Sequence, residues 1–397
     1  MAFNALSDAG LPFDLIRAED IRKGILRDYT MLFVPGGWAS NKIKSLGGEG
    51  VREIREFVDK GGNYLGFCGG AGLATLDGIG LLNIRRIPTQ DRVPSFSGSM
   101  LLRLNGHPIW AGMAPATPSV FHVWWPSQFS TNDQENNVLA TYEEALPDSF
   151  SSDLNVGDVR KILGDWASLE RSYGINLDPS RLHDQPAVIE GLCGQGKVLL
   201  SLVHFDTPND AHGATILKNL WKYLAGVATL SEYQPSPLPR CLATKVADLD
   251  NMLTAVKDLI SFGERNFLWF WRNPMLLQWR RGIRGLEYCT LYGMIRAIAE
   301  HADRFPFDDS SSLDRLQDVA QMVSSFHEKA ERLLLRERQA LQDGHRITYE
   351  KSDNLEIVQL RAELFSTSKS YGGMFKKLLD KIDRIVFDLL RQHVAKH

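Results

Sequence analysis

Three things are scarce in this chain. Its 397 residues hold four cysteines, Cys68, Cys193, Cys241 and Cys289, and no two of them form a C-x-x-C pair. That spacing speaks against a zinc site or a disulfide framework and for a reducing compartment, most simply the cytoplasm. Excess charge is the second absence. Forty-five Lys and Arg stand against 48 Asp and Glu, a formal net charge of −3, so there is no electrostatic footprint for nucleic acid or an anionic membrane. Long apolar runs are the third. None reaches the roughly 18 residues needed to span a bilayer; the best, "NFLWFW", lies between Arg265 and Arg272. The opening "MAFNALSDAGLPFDLIR" has no basic region followed by an apolar run, so no secretory signal is visible. Nothing calls for a metal or an organic cofactor.

What is present is an ordinary 44% hydrophobic content with nine Trp and nineteen Phe, and a length that suits two domains. The first part alternates. Pro12–Arg17 ("PFDLIR") and Met31–Pro35 ("MLFVP") read as strands, the second running into Gly36 and Gly37. Gly50–Lys60 carries Val51, Ile54, Phe57 and Val58 at helical spacing and is closed by Gly61 and Gly62. A strand, "NYLGF", follows. Short apolar strands alternating with helices predict a mostly parallel sheet with helices on both faces. Met100–Leu104, Ser119–Trp125 and Asn137–Tyr142 are shorter β segments, and "PAVIEGLCGQGKVLLSLVHFD" is two strands joined by a Gly-rich turn. "HGATILKNLWKYLAG" is a helix stopped by Gly226.

Three prolines in "SEYQPSPLPR", residues 231–240, mark a linker between a domain over 1–230 and one over 241–397. Beyond it the pattern is helical almost throughout. Leu316, Val319, Val323, Phe326, Ala330 and Leu333 follow a 3-4 alternation, one seam of an all-α bundle. Glu328, Lys329, Glu331 and Arg332 lie off that seam as a solvated face. Two motifs are decoys. "GLCGQGKV" spaces its glycines and Lys197 like a phosphate loop, but Val198 stands where Ser or Thr is needed and a strand follows where a helix should start. A hairpin turn fits better. "RRGIRG", Arg280–Gly285, reads as a basic helix surface.

The chemistry concentrates at "GNYLGFCGGAGLA". Cys68 sits where a strand becomes a helix, flanked by Gly66 and Gly70 in a G-x-C-x-G pattern. Such an elbow lifts its central residue above the sheet and needs small neighbours. Unpaired N–H groups at a helix start favour the thiolate. A base is offered by "VLLSLVHFDTP": His204 ends an apolar strand, and Asp206, two residues on, points the same way in extended chain. The N–H groups of Gly37 and Gly69 are the candidate oxyanion hole. The plain reading of a cysteine near an apolar strand is a small core residue, and a single histidine there is usually structural. The coincidence of glycines, strand-H-x-D and strand-PGG in one order favours the elbow.

These residues resemble the class I glutamine amidotransferase-like family. "FVPGG", "GNYLGFCGGAGLA" and "GKVLLSLVHFD" look most like the domain found at the N-terminus of fungal-type biotin–protein ligases and as a stand-alone bacterial protein. The resemblance covers roughly residues 11–228. It implies a flavodoxin-like sheet and a Cys-His-acid triad, carried over as Cys68, His204 and Asp206. There are departures. Gly72 stands where glutamine-hydrolysing members usually have a Gln, and Asp206 where Glu is common. The family's opening strand has no counterpart ahead of "FNALSDAG", and the ATP- and biotin-binding sequence of biotin ligases is absent. Two functions follow. One is a cysteine-nucleophile hydrolase of a small amide or ester, with glutamine itself disfavoured. The other is a catalytically silent binding or regulatory module whose helical domain, rich in aromatics over Phe267–Trp279, meets a protein partner. Bundle core is the plainer use of those aromatics.

Overall fold

A computed structural model of the chain describes residues 1–113, 119–131, 136–226, 247–302, 310–345, 347–348, 351–366 and 371–395. The chain divides into two compact units. The first takes in Met1–Pro12 and residues 16–226, the second Phe13–Leu15 and residues 247–395. The Pro-rich linker expected at 231–240 lies outside the described residues.

The first unit is α/β and flavodoxin-like, with a mixed sheet of nine strands among the described residues. Its leading elements are β1 (Met31–Val34), α1 (Ala39–Asp59), β2 (Asn63–Phe67) and α2 (Gly69–Ala74). Then come β3 (Phe96–Leu104), β4 (Ser119–Trp124), β5 (Asn137–Ala145), β6 (Pro186–Cys193), β7 (Gly196–Ser201) and α3 (Ala211–Ala225). The parallel strands are β1, β2 and β7, with β2 between the others. From β7 the sheet continues through β6, β5 and β3 by antiparallel pairing, with β4 paired to β3.

β2 is buried on both faces, as parallel strands between helices are. Tyr64 and Gly66 face α2, and the Tyr64 hydroxyl donates to the Gly70 carbonyl at 2.7 Å. Phe67 faces the other way. It meets Phe33 at 4.9 Å between centroids, and Phe33 meets Trp221 of α3 at 5.7 Å. Helices thus cover both faces of the parallel strands. The ends of α3 are set by Asp210, whose side chain accepts from the Gly213 N–H at 2.8 Å, and by Gly226 at φ 69°. β6 and β7 form the hairpin expected of "GLCGQGKV", turning at Gly194 and Gln195.

Three local expectations need correction. Pro12–Arg17 is not a strand; it carries no regular structure, because its apolar residues have no sheet neighbour to complete a ladder. The helix expected from Gly50 begins at Ala39 and runs through a kink at Gly47; its first half lacks the apolar period that marks the second. "RRGIRG" is a turn rather than a helix surface: Gly282 has φ 87°, and Arg284 is buried, donating to Glu287 at 2.9 Å.

The second unit is helical, with α4 (Ala247–Arg265), α5 (Gly285–Ala302), α6 (Ser310–Gln342), α7 (Leu355–Phe365) and α8 (Gly373–Ala395). All six expected seam positions of α6 are buried. Of the residues off that seam, Lys329 pairs with Glu363, and Arg332 with Glu356 at 2.6 Å. The helical periodicity missed one feature. The aromatic stretch forms an antiparallel hairpin, Trp269–Asn273 with Leu276–Trp279, since Asn273-Pro274 breaks a helix and the flanking residues alternate. The alternation splits the aromatics. Leu268 and Trp269 enter the core, while Phe267 and Phe270 stay exposed.

In the first unit the packing reaches the candidate site through two rings. Phe67 precedes Cys68, Phe205 lies between His204 and Asp206, and the rings meet edge-on at 5.7 Å. Phe205 also touches Phe121 at 5.3 Å and Trp110 at 6.1 Å. We predict that Phe205→Ala destabilises the first unit by about 3–5 kcal/mol, the usual cost of deleting a buried aromatic, and slows alkylation of Cys68. Urea unfolding and thiol labelling measure the two. A loss under about 1 kcal/mol would mean this cluster does not hold the two loops together.

Candidate functional site

The C-terminal ends of β1, β2 and β7 lie side by side, so the loops after them share one edge of the sheet. This is where open α/β sheets place their ligands. Gly36 and Gly37 follow β1, Cys68 follows β2, and His204 and Asp206 follow β7.

Cys68 has φ 47° and ψ −103°, a conformation that L residues avoid. The turn is held by the Cys68 N–H donating to the Ser201 carbonyl at 2.7 Å. Tight backbone approach explains the glycines. A Cβ on Gly66 would stand 2.7 Å from the Gly70 carbonyl, and one on Gly70 would stand 1.9 Å from the Val34 oxygen. Gly69 is closer still to its neighbour: a Cβ there would lie 1.6 Å from the Gly37 oxygen. The two glycines expected to form an oxyanion hole are therefore in backbone contact.

His204 and Asp206 are both buried, and Nδ1 of His204 lies 2.9 Å from Oδ1 of Asp206. Nε2 is buried and makes no hydrogen bond of good geometry. It shares a corner with Cys68: a Cβ on Gly36 would be 3.7 Å from both Cys68 Cβ and His204 Nε2. Cys68 is half-buried as a residue, and its Sγ is 3.9 Å from the Trp124 carbonyl oxygen. All the expected site residues thus come together at one sheet edge.

Electrostatics couples them. Burial pushes the Cys68 thiol up, but hydrogen bonding and charge from His204, with the Gly69 N–H, outweigh it, and the thiol falls below its ordinary value. Burial opposes a charged His204, yet Asp206 and Cys68 together raise its pKa well above the usual imidazole range. Burial likewise opposes an ionised Asp206, and His204 keeps it below the usual carboxylate range. These shifts all favour a thiolate beside an imidazolium held by a carboxylate.

Sequence reasoning passed over several neighbours. The His204 N–H donates to the His122 carbonyl at 2.9 Å. Trp124 Nε1 donates to Thr207 Oγ1 at 3.0 Å, and that hydroxyl donates to the His204 carbonyl at 2.9 Å. These bonds fix the loop from behind. Thr207 stood in the quoted "HFDTP"; His122 and Trp124 arrive from β4 with no local signal. Lys42 and Arg86 were also unmarked. The Lys42 Nζ lies 3.8 Å from a Cβ position on Gly37, and the Arg86 Nη1 lies 3.5 Å from one on Gly72.

In the second unit, Asp258, His327 and Glu331 offer three ligand atoms within 4.8 Å of one another. His327 already turns Nε2 to Asp258 at 3.3 Å and Nδ1 to Glu331 at 3.8 Å, and Arg265 approaches Asp258 at 3.6 Å. The three side chains are thus already engaged with one another and, through Asp258, with Arg265. No described helix is long and apolar enough to cross a membrane.

Among solved structures the chain is similar to a glutamine amidotransferase, at 20% identity and a TM-score of 0.34, over 56% of this chain and 92% of the other. It is also similar to PurLQS from Thermotoga maritima, at 15% identity and a TM-score of 0.32, over 50% of this chain and 81% of the other. No curated protein matches it. Residues 23–77, which carry β1, Gly37 and Cys68, match the family described as biotin-protein ligase, N terminal.

Proposed function

We propose that this protein is a cysteine-dependent hydrolase of the glutamine amidotransferase-like type, acting on a small amide or ester. One observation carries the reading. Cys68 is held at φ 47° beside His204, whose Nδ1 is 2.9 Å from Asp206 and whose Nε2 shares a corner with Cys68. A structural cysteine needs neither the strained turn nor the buried, ionised pair behind it.

The chemistry runs as acyl transfer to water. The Cys68 thiolate attacks the substrate carbonyl carbon, forming a C–S bond and pushing the π electrons onto oxygen. The N–H groups of Gly69 and Gly37 hold that oxyanion. It collapses as the C–N or C–O bond breaks, and His204 Nε2 gives its proton to the leaving atom. Water then attacks the thioester while Nε2 takes a proton from it. The acid departs and the thiolate is restored. Asp206 holds the imidazole in the orientation that turns Nε2 to the sulfur.

The lowered thiol pKa sets a pH dependence. Cys68 should remain a thiolate below its ordinary value of 9.0 and lose reactivity only as pH falls through the lowered value. Burial raises Cys193, and Cys289 is pushed up to about 11. Iodoacetamide at pH 7 is therefore expected to label Cys68 first, with modified residues located by mass spectrometry. His204→Ala should slow that labelling severalfold, since it removes the hydrogen bond and the charge that hold the thiol pKa down. Equal rates for Cys68, Cys193 and Cys289 would favour a silent binding module.

Glutamine is a poor fit. Gly72 has no side chain to hold the substrate, and Arg86 fills the space beside it, its Cδ 3.4 Å from a Cβ position there. Misplacement by about 1 Å costs on the order of 100-fold in rate. Ammonia release from glutamine should be negligible and no greater than in Cys68→Ala. Robust release lost in Cys68→Ala would show a working glutaminase with an unusual pocket.

A further inference from the structure

Lys42 and Arg86 flank the Cys68 turn, and Arg92 couples electrostatically to both Arg86 and Cys68. Lys42, in the first turn of α1, brings its Nζ to 3.8 Å from a Cβ position on Gly37. Among the described residues it has no ion-pair partner. Burial lowers its pKa, and the Cys68 thiolate pulls the other way. Arg86 lies over Gly72. Its Nε is buried without a hydrogen bond. Its carboxylate neighbour, Asp77, is 3.9 Å from that Nε and is shared with Arg85 at 3.3 Å. Arg92 donates through Nη1 to the Pro126 carbonyl at 2.7 Å, but its Nε is also buried without a hydrogen bond. Burial and then the charge of Arg86 weaken its proton affinity, and Cys68 strengthens it. The two guanidinium groups and the sulfur therefore lie within electrostatic reach of one another.

This arrangement is costly as it stands. A buried donor without a partner is unfavourable, and like charges held near one another add to that. Asp206 is committed to His204 and Asp77 to the outer side of Arg86 and Arg85. One thiolate does not balance three cations. Guanidinium forks suit planar or tetrahedral oxyanions, which accept several N–H bonds at once.

We propose that the substrate handled at Cys68 carries a small oxyanionic group, a carboxylate or a phosphate, that docks against Arg86 and Arg92 beside Gly72, with Lys42 on the Gly37 side. The inference rests on the function proposed above and names its substrate class. It also sharpens the case against glutamine. An α-amino acid sets an ammonium next to its carboxylate, and that ammonium would face the same three cations.

The test compares iodoacetate with iodoacetamide. In both, the Cys68 thiolate forms a C–S bond and iodide leaves with the C–I electron pair. The two reagents sample the same thiolate, so their rate ratio isolates the carboxylate. The reference is the same ratio for N-acetylcysteine amide, a neutral thiol. At Cys68 the iodoacetate-to-iodoacetamide ratio should exceed the reference by about tenfold, the worth of one charge-assisted contact. It should fall back by about tenfold in Arg86→Gln and Arg92→Gln, and stay raised in Lys60→Gln, an exposed cation paired with Glu56. Wild-type protein gives a second reading that needs no variant. Inorganic phosphate or acetate, added separately, should protect Cys68 from iodoacetamide, and the better protector identifies the group. A ratio equal to the reference, without protection by either anion, would overturn the proposal. If Cys68 still outruns Cys193 and Cys289 in that case, the hydrolase reading survives. If Cys68 is no faster than they are, the hydrolase reading falls, and the ratio at Cys68 still decides the charge preference.

Discussion

Close contact between backbones at the ends of β1, β2 and β7 governs everything near Cys68. The Val34 oxygen lies where a Cβ on Gly70 would be 1.9 Å away, and the Gly37 oxygen where one on Gly69 would be 1.6 Å away. Only residues without a side chain permit it. The gain is position: α2 starts against the strand it follows, and the cysteine between them is turned out of the sheet. The strain at φ 47°, on the order of 1–3 kcal/mol, is borne by the surrounding packing, above all by the Phe67, Phe205 and Phe121 rings on the opposite face.

The same crowding sets the electrostatics. His204 and Asp206 are buried, where an isolated charge is expensive and a paired one is strongly coupled. Each member of the cluster holds another in its charged form. Asp206 stabilises an imidazolium, the imidazolium stabilises a thiolate, and burial opposes all three. The outcome depends on partners within hydrogen-bond reach rather than on the residue types alone. The cations near the cysteine extend this logic: Lys42, Arg86 and Arg92 gather positive charge there that the whole chain, at −3, does not advertise.

The helical unit solves a different problem. Its mostly aliphatic core holds an aromatic cluster in which Tyr288 and Phe375 each meet both Phe326 and Phe365, and those two meet each other. It also buries Arg361, which donates to Glu337 at 2.7 Å and to the Gly282 carbonyl at 2.8 Å. Removing one partner of such a pair is expensive because the other charge stays buried. That pair ties the turn at Gly282 to α6 and α7, and the turn in turn seats the aromatic hairpin against the bundle.

Much of this was legible in the residue order. The period of α6, the hairpin at Gly194, the glycines around Cys68 and the strand-H-x-D of His204 and Asp206 are local patterns, and local sterics or side-chain period decide them. Elements whose partners are distant in sequence were not legible. Pro12–Arg17 had strand-like residues but no strand beside it. The kinked first half of α1 had no apolar period. "FLWFWRNPMLLQW" alternates as a strand does, yet its helical surroundings hid that until an antiparallel partner was seen. The site divides in the same way. Cys68, His204, Asp206 and the glycines announce themselves because an elbow needs small residues at fixed spacing. His122, Trp124, Lys42, Arg86 and Arg92 do not, because a cation or a carbonyl from another loop leaves no trace in the order of residues around the cysteine. The local sequence determined where the cysteine would stand; only the tertiary structure decided its partners and its surroundings, since electrostatic coupling falls off with distance in space and not with separation along the chain.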